Sequence, residues 1–210
     1  MPVIYTSNTF SDIVSAMDSY YQRSVTWESP GMATAVNTAL SRIARALSTQ
    51  EMDTLLSLTT ADLPYTLPAD YIEVKAVICT RGSYSNTLVR GNLSTVRGKQ
   101  QTANNGTIPY EYCIVGNTLD IGPNPATDDT FEVLYTAQVA YLYTGTDTNM
   151  ISKKYFDVLV AGGLSEAYKM IHDDERSTYW ENLFQSRLAE AITYAEKEQW
   201  SGTPLVIRSA

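Results

Sequence analysis

Apolar residues recur at three- and four-residue spacing near the start of the chain, alternate with polar ones through its middle, and return to the helical period near its end. In TFSDIVSAMDSYYQR, Phe10, Ile13, Val14, Met17 and Tyr21 fall on one helical face, with Thr9 or Ser11 as the N-cap. That helix ends before Trp27. SPGMATAVNTALSRIARAL repeats the pattern: Met32, Ala35, Val36, Ala39, Ile43, Ala46 and Leu47 form the apolar stripe, and Arg42 and Arg45 face outwards. Ser48 and Glu51 have capping-box spacing, which predicts a short third helix through Leu58.

From Asp62 the grammar changes. Pro64 and Pro68 exclude a helix, and the alternating run from Tyr71 to Thr80 predicts a strand. The Gly, Ser, Asn and Thr-rich stretch that follows predicts a strand from Asn86 to Val96 and a mobile loop around Lys99 to Gly106. Two short strands are expected about Gly116-Asn117, then a long one in TFEVLYTAQVAYLY with Phe131, Val133 and Tyr135 on one face. The helical period resumes with Phe156, Leu159, Val160, Gly163 and Leu164, and again with Trp180, Leu183, Phe184, Leu188 and Ala191. Neither stripe can be hidden alone, so these helices should pack together and on the N-terminal pair. The expected fold is α+β: a mainly helical bundle from residues 1–61 and 146–202, an inserted small antiparallel β domain at 62–145, and an extended tail at 203–210. Gly202 and Pro204 end the last helix.

Composition narrows the function classes. At 210 residues with 44% hydrophobic and 18% charged side chains, the chain has enough material for a sizeable core. Its net charge of -8 opposes adhesion to phosphate backbones or anionic lipid. Cys79 and Cys113 lie in apolar alternating stretches and read as buried free thiols in a reducing compartment. No signal peptide or membrane span is apparent, and fifteen tyrosines against four phenylalanines point towards assembly surfaces.

The lone histidine, His172, stands beside Asp173, Asp174 and Glu175. As a metal or catalytic cluster this run is weak, because adjacent donors fan around a helix instead of converging. As a helix N-terminus it is complete, since acids there meet free amides and the positive end of the dipole, with Lys169 one turn earlier to pair with Asp173. Glu166 and Glu181 are the conceivable acids of a glycoside hydrolase, although glutamates on amphipathic helices are more commonly solvated. Gly162-Gly163 reads as a point of close helix approach, and Arg81, Arg90 and Arg97 as a solvated loop face or a basic edge. No nucleophile elbow, P-loop, GxGxxG or CxxC occurs, so neither an enzyme nor a cofactor is expected. The tail segment LVIRS has strand propensity; it either adds to the sheet edge of another protein or folds back and frays.

LPADYIEV, the run YCIVGNTLDIGPNPATDDTFEVLYTAQVAYL and the closing YFDVLVAGGLSEAYKMIHDDERSTYWENLFQSRLAEAITYAEKEQWSG resemble the head-to-tail adaptors, or connector proteins, of tailed bacteriophages. The resemblance covers residues from about 62 to 202. It implies a structural virion protein in the neck, assembled in the host cytoplasm as a ring beneath the portal protein, commonly a dodecamer. Such a ring extends the channel for genomic DNA, which passes without specific binding, and carries the downstream tail or nozzle protein. It further implies that Leu205, Val206, Ile207 and Arg208 contact the portal, and that the isolated protein is monomeric or weakly associated, with residues 97–107 and 203–210 mobile. The alternatives are a neck stopper or tail-completion protein, and a virion-associated peptidoglycan hydrolase using Glu166 or Glu181.

Overall fold

The computed structural model describes residues 8–21, 30–47, 52–62, 64–102 and 107–200. The chain divides into two compact units, one of residues 1–51 and 139–210, the other of residues 52–138.

The first unit is helical: α1 (Phe10–Tyr20), α2 (Pro30–Ala46), α4 (Met150–Lys154), α5 (Phe156–Met170) and α6 (Asp174–Trp200). Thr9 caps α1 in a capping box with Asp12, so the β-branched hydroxyl and the acid satisfy each other's orphan amides. α5 is the axis. Val158 through Ser165 are all buried, so it lacks the polar face of a surface helix and must be surrounded. Gly162 and Gly163 make that enclosure close. A Cβ on Gly162 would lie 2.9 Å from the Ala39 Cβ of α2 and from the Phe184 ring of α6, and one on Gly163 would lie 2.8 Å from the Met17 sulfur of α1. Phe10, Ile13, Val14, Met17 and Tyr21 are buried as their spacing predicts. On α2, Leu40 joins the stripe, whereas Ala46 is exposed.

Among the described residues, the second unit holds eight strands and α3 (Leu93–Thr102). β1 (Asp53–Thr59), β8 (Thr130–Ala137), β3 (Tyr71–Arg81) and β4 (Tyr84–Thr87) lie side by side in one antiparallel sheet. β2 (Tyr65–Thr66), β7 (Thr118–Gly122), β6 (Glu111–Val115) and β5 (Val89–Arg90) form the other, in which only β5 and β6 run parallel. Phe131, Val133 and Tyr135 alternate inwards from β8, the strand between β1 and β3, and share one core with Val77, Cys79, Leu119 and Ile121. Both cysteines are free and buried, and burial pushes the Cys79 thiol up to about 11.

Three local expectations fail here. The predicted third helix is instead β1: Ser48 and Glu51 lie outside the described residues, and from Asp53 to Thr59 the chain pairs along its whole length with β8. Leu55 and Leu58 have helical spacing, but Leu56 and Leu58 equally have strand spacing, and the partner strand decides. The predicted strand from Asn86 to Val96 stops at Thr87 and Arg90, and helix α3 (Leu93–Thr102) replaces both its end and the start of the expected mobile loop. Asn92 caps that helix, its Oδ1 accepting from the Thr95 amide at 2.9 Å, and the fully buried Val96 anchors it on β7 at Gly122. The last strand ends at Ala137, short of Tyr143.

Candidate functional site

Arg42 does not face solvent. It leaves α2 half-buried, stacks over the Phe184 ring at 4.5 Å and reaches two carboxylates on neighbouring helices. Its Nη1 donates to Glu166 Oε1 of α5 at 2.7 Å and to Glu181 Oε2 of α6 at 3.0 Å, while Nη2 donates to Glu181 Oε1. Lys169 Nζ adds bonds to Glu166 at 2.9 Å and Glu181 at 3.1 Å; the Ser165 hydroxyl and Gln185 amide each donate to Glu181 at 2.8 Å. Two cations and two anions therefore cancel. The Arg42 hydrogen bond, helped against burial by Gln185, Ser165 and Lys169, holds the Glu181 carboxyl well below the usual carboxylate range. A general acid needs the opposite, a carboxyl that keeps its proton near neutrality. The arrangement ties α2, α5 and α6 together and is poorly suited to hydrolysis.

His172 occupies a helix corner. Its amide donates to the Lys169 carbonyl and that of Asp173 to the Tyr168 carbonyl, both at 3.1 Å, the paired bonds of a Schellman motif. With φ at +58°, His172 stands in the left-handed position that glycine usually takes, its side chain exposed. Asp173 then caps α6, its Oδ1 accepting from the Arg176 amide at 3.2 Å. Lys169 is engaged with Glu166 and Glu181, and the ion partner of Asp173 is Arg176, at 3.7 Å.

In the second unit, Arg81 also departs from the solvated-loop reading. It grips the buried Asp129, with Nη2 2.7 Å from Oδ2. Burial pushes the Asp129 carboxyl up, but the Arg81 bonds and the Ala126 amide outweigh it and bring it below the usual value. Arg97 lies 3.6 Å from Asp120, and Arg90 is exposed.

Surfaces of the helical unit carry the remaining candidates. One flank of α2 and the segment after β8 enclose a groove of about 470 Å³, lined by Thr34, Asn37, Thr38, Ser41, Tyr141 and Tyr143. Asn37 fixes its floor: its side-chain amide donates to the Leu142 carbonyl at 2.8 Å and its oxygen accepts from the Leu142 amide at 2.9 Å. Elsewhere Tyr20, Trp180 and Tyr179 form a run of edge-to-face rings, with centroids 5.2 and 5.5 Å apart. Tyr20 and Tyr179 are 56% and 64% exposed.

Exposed aromatic rings such as Tyr20 and Tyr179 are a common feature of protein-binding surfaces. The model of one protein family, described as SU10 adaptor protein, matches residues 8–208. The chain belongs to that family. It is thus a phage adaptor, and the resemblance read from its packing and turn positions holds. No curated protein matches the chain. The adaptor match runs through Leu205, Val206, Ile207 and Arg208, which lie outside the described residues. No helix among the described residues is long and apolar enough to cross a membrane. Sequence reasoning missed the Arg42 network and the groove. Arg42, Glu166, Lys169 and Glu181 were visible as residues, but nothing local to α2 announces partners more than a hundred positions away.

Proposed function

We infer that this adaptor is a structural protein of the virion neck that assembles as a ring beneath the portal, commonly twelve-fold, and joins the capsid to the tail. The family match over residues 8–208 carries the reading. Its partners are the portal protein and a downstream tail or nozzle protein, with further copies of itself at its sides. The net charge of -8 supports a channel along which genomic DNA moves without adhering. Exposed tyrosines on α1, α6 and the segment after β8 support lateral contacts. Neutralised Glu166 and Glu181 weigh against the hydrolase alternative.

Leu205, Val206, Ile207 and Arg208 are the proposed portal contact. Deleting residues 203–210 tests it: the truncated chain should keep the melting temperature of the full chain and be missing from necks assembled on portal-bearing heads. Truncated protein recruited as well as the full chain would remove the tail from the contact. An image of the assembled neck with this chain located tests the wider reading, and a position away from the portal would favour a stopper or tail-completion protein.

A further inference from the structure

The α2 groove is a neutral surface. Thr34, Asn37, Thr38 and Ser41 recur along one face of α2 at three- and four-residue spacing. Tyr141 and Tyr143, both exposed and packed edge-to-face with centroids 6.2 Å apart, line it with them. No charged side chain belongs to the lining, and Arg42 is committed to Glu166 and Glu181. Hydroxyls, a carboxamide and two rings suit an uncharged occupant with apolar side chains and a tyrosine, whose ring is apolar and whose tip is polar. From Ala33 to Ser41 the groove runs about 12 Å at 1.5 Å per residue, the length of about four extended residues.

The start of the chain is tethered beside this groove. The Phe10 amide donates to the Asp147 carbonyl at 2.9 Å, and the Ser11 amide donates at 3.0 Å to that of Gly145, two residues beyond Tyr143. The segment after β8 that lines the groove therefore also holds the start of α1. Asn8 is fixed nearby, its side-chain amide donating to the Lys153 carbonyl at 3.0 Å. Met1 to Ser7 precede it and lie outside the described residues. Extended, they reach about 23 Å, roughly twice the length of the groove, which leaves chain for the approach.

Their sequence matches the lining. MPVIYTS carries no charged side chain. Pro2 and the β-branched Val3 and Ile4 favour extended backbone, and Tyr5 brings a ring with a hydroxyl. The segment at the other end, SGTPLVIRSA, carries Arg208, for which the lining offers no acid. A tethered segment also meets its site at an effective concentration on the order of millimolar, an advantage that no free peptide shares.

We propose that residues 1–7 lie as a strap in the α2 groove of the same chain, with Val3, Ile4 and Tyr5 against Thr34, Thr38 and the two tyrosines. The strap fastens α1 to α2 across the segment after β8 and closes the groove to other proteins. Contacts between copies are then left to the exposed tyrosines of α1 and α6. The strap belongs to one chain and is independent of how many copies the neck holds.

Two measurements on the full chain test it. In the first, a photo-crosslinker replaces Tyr5 in an equal mixture of light- and heavy-labelled chains. Adducts should fall on residues 33–41 or 141–143 and carry a single label. Adducts elsewhere, adducts that join the two labels, or no adducts overturn the proposal; joined labels would give the groove to a neighbouring copy instead. In the second, chymotrypsin cleavage after Tyr5 is followed by mass. A strap is cut only when it lifts off, so Thr38→Arg, at an exposed position of the groove, should speed that cut about tenfold and leave cleavage elsewhere unchanged. Equal rates after Tyr5 in wild type and variant overturn the proposal. Should Thr38→Arg be cut faster throughout, as a chain that has lost its fold is, the crosslinking result on the otherwise native chain decides.

Discussion

Arg42 of α2 holds Glu181 of α6 through both terminal guanidinium nitrogens, and the same Glu181 accepts from Ser165, Lys169 and Gln185. A carboxylate with so many donors is more stable ionised when folded than when unfolded. Arg42→Met should cost about 1.5–3 kcal/mol at neutral pH, the range for hydrogen bonds to charged groups, as measured by urea unfolding.

The same bond sets a pH dependence. Because the folded carboxyl is depressed below its usual 4.5, its contribution is complete above that value and is lost as pH falls through and below it. There the unfolded chain takes up a proton that the folded chain resists. Urea titrations at falling pH should show wild-type stability dropping and a shallower drop in Arg42→Met; equal slopes would assign the acid sensitivity to other groups.

Glycine substitutions should change sign with location. Gly162→Ala gains helix propensity but drives a methyl to 2.9 Å from Ala39 and Phe184, so overpacking should win and cost about 1–3 kcal/mol. Gly98→Ala in α3 meets nothing within 4 Å and should stabilise by about 0.5–1 kcal/mol. Thermal melts of the two variants, moving in opposite directions, check both.

At the corner, His172→Gly should stabilise by about 1–2 kcal/mol, because a left-handed conformation penalises a side chain that glycine lacks. Asp173→Ala should cost about 0.5–2 kcal/mol, an N-cap's worth. His172→Gln keeps a side chain in the same conformation and should leave stability and neck assembly unchanged, which a melting curve and particle composition would show.

Arg81→Met should be the most damaging of the charge removals. It leaves the carboxylate of Asp129, which is 1% exposed, with the Ala126 amide but without its charged partner, whereas Arg42→Met leaves Glu181 its other donors. Double replacement with Asp129→Leu should recover part of the loss, a comparison that unfolding of the single and double variants makes directly.

The chain by itself determined the helix faces of α1, α5 and α6, the inward set Phe131, Val133 and Tyr135, the close approach at Gly162-Gly163 and the corner after Met170. Each follows from a period or a cap contained within a few neighbouring residues, where local geometry leaves few alternatives. Even α3 carried a local signal in Asn92, obscured by the glycine, serine and threonine around it. Tertiary structure alone decided that Asp53–Thr59 is a strand, because its pairing energy comes from β8 at the other end of the inserted unit. It also turned Arg42 inwards to Glu166 and Glu181, matched Arg81 to Asp129, and closed the groove by laying Leu142 on Asn37. These outcomes join segments far apart in the chain, so no window of neighbouring residues contains both halves of the interaction.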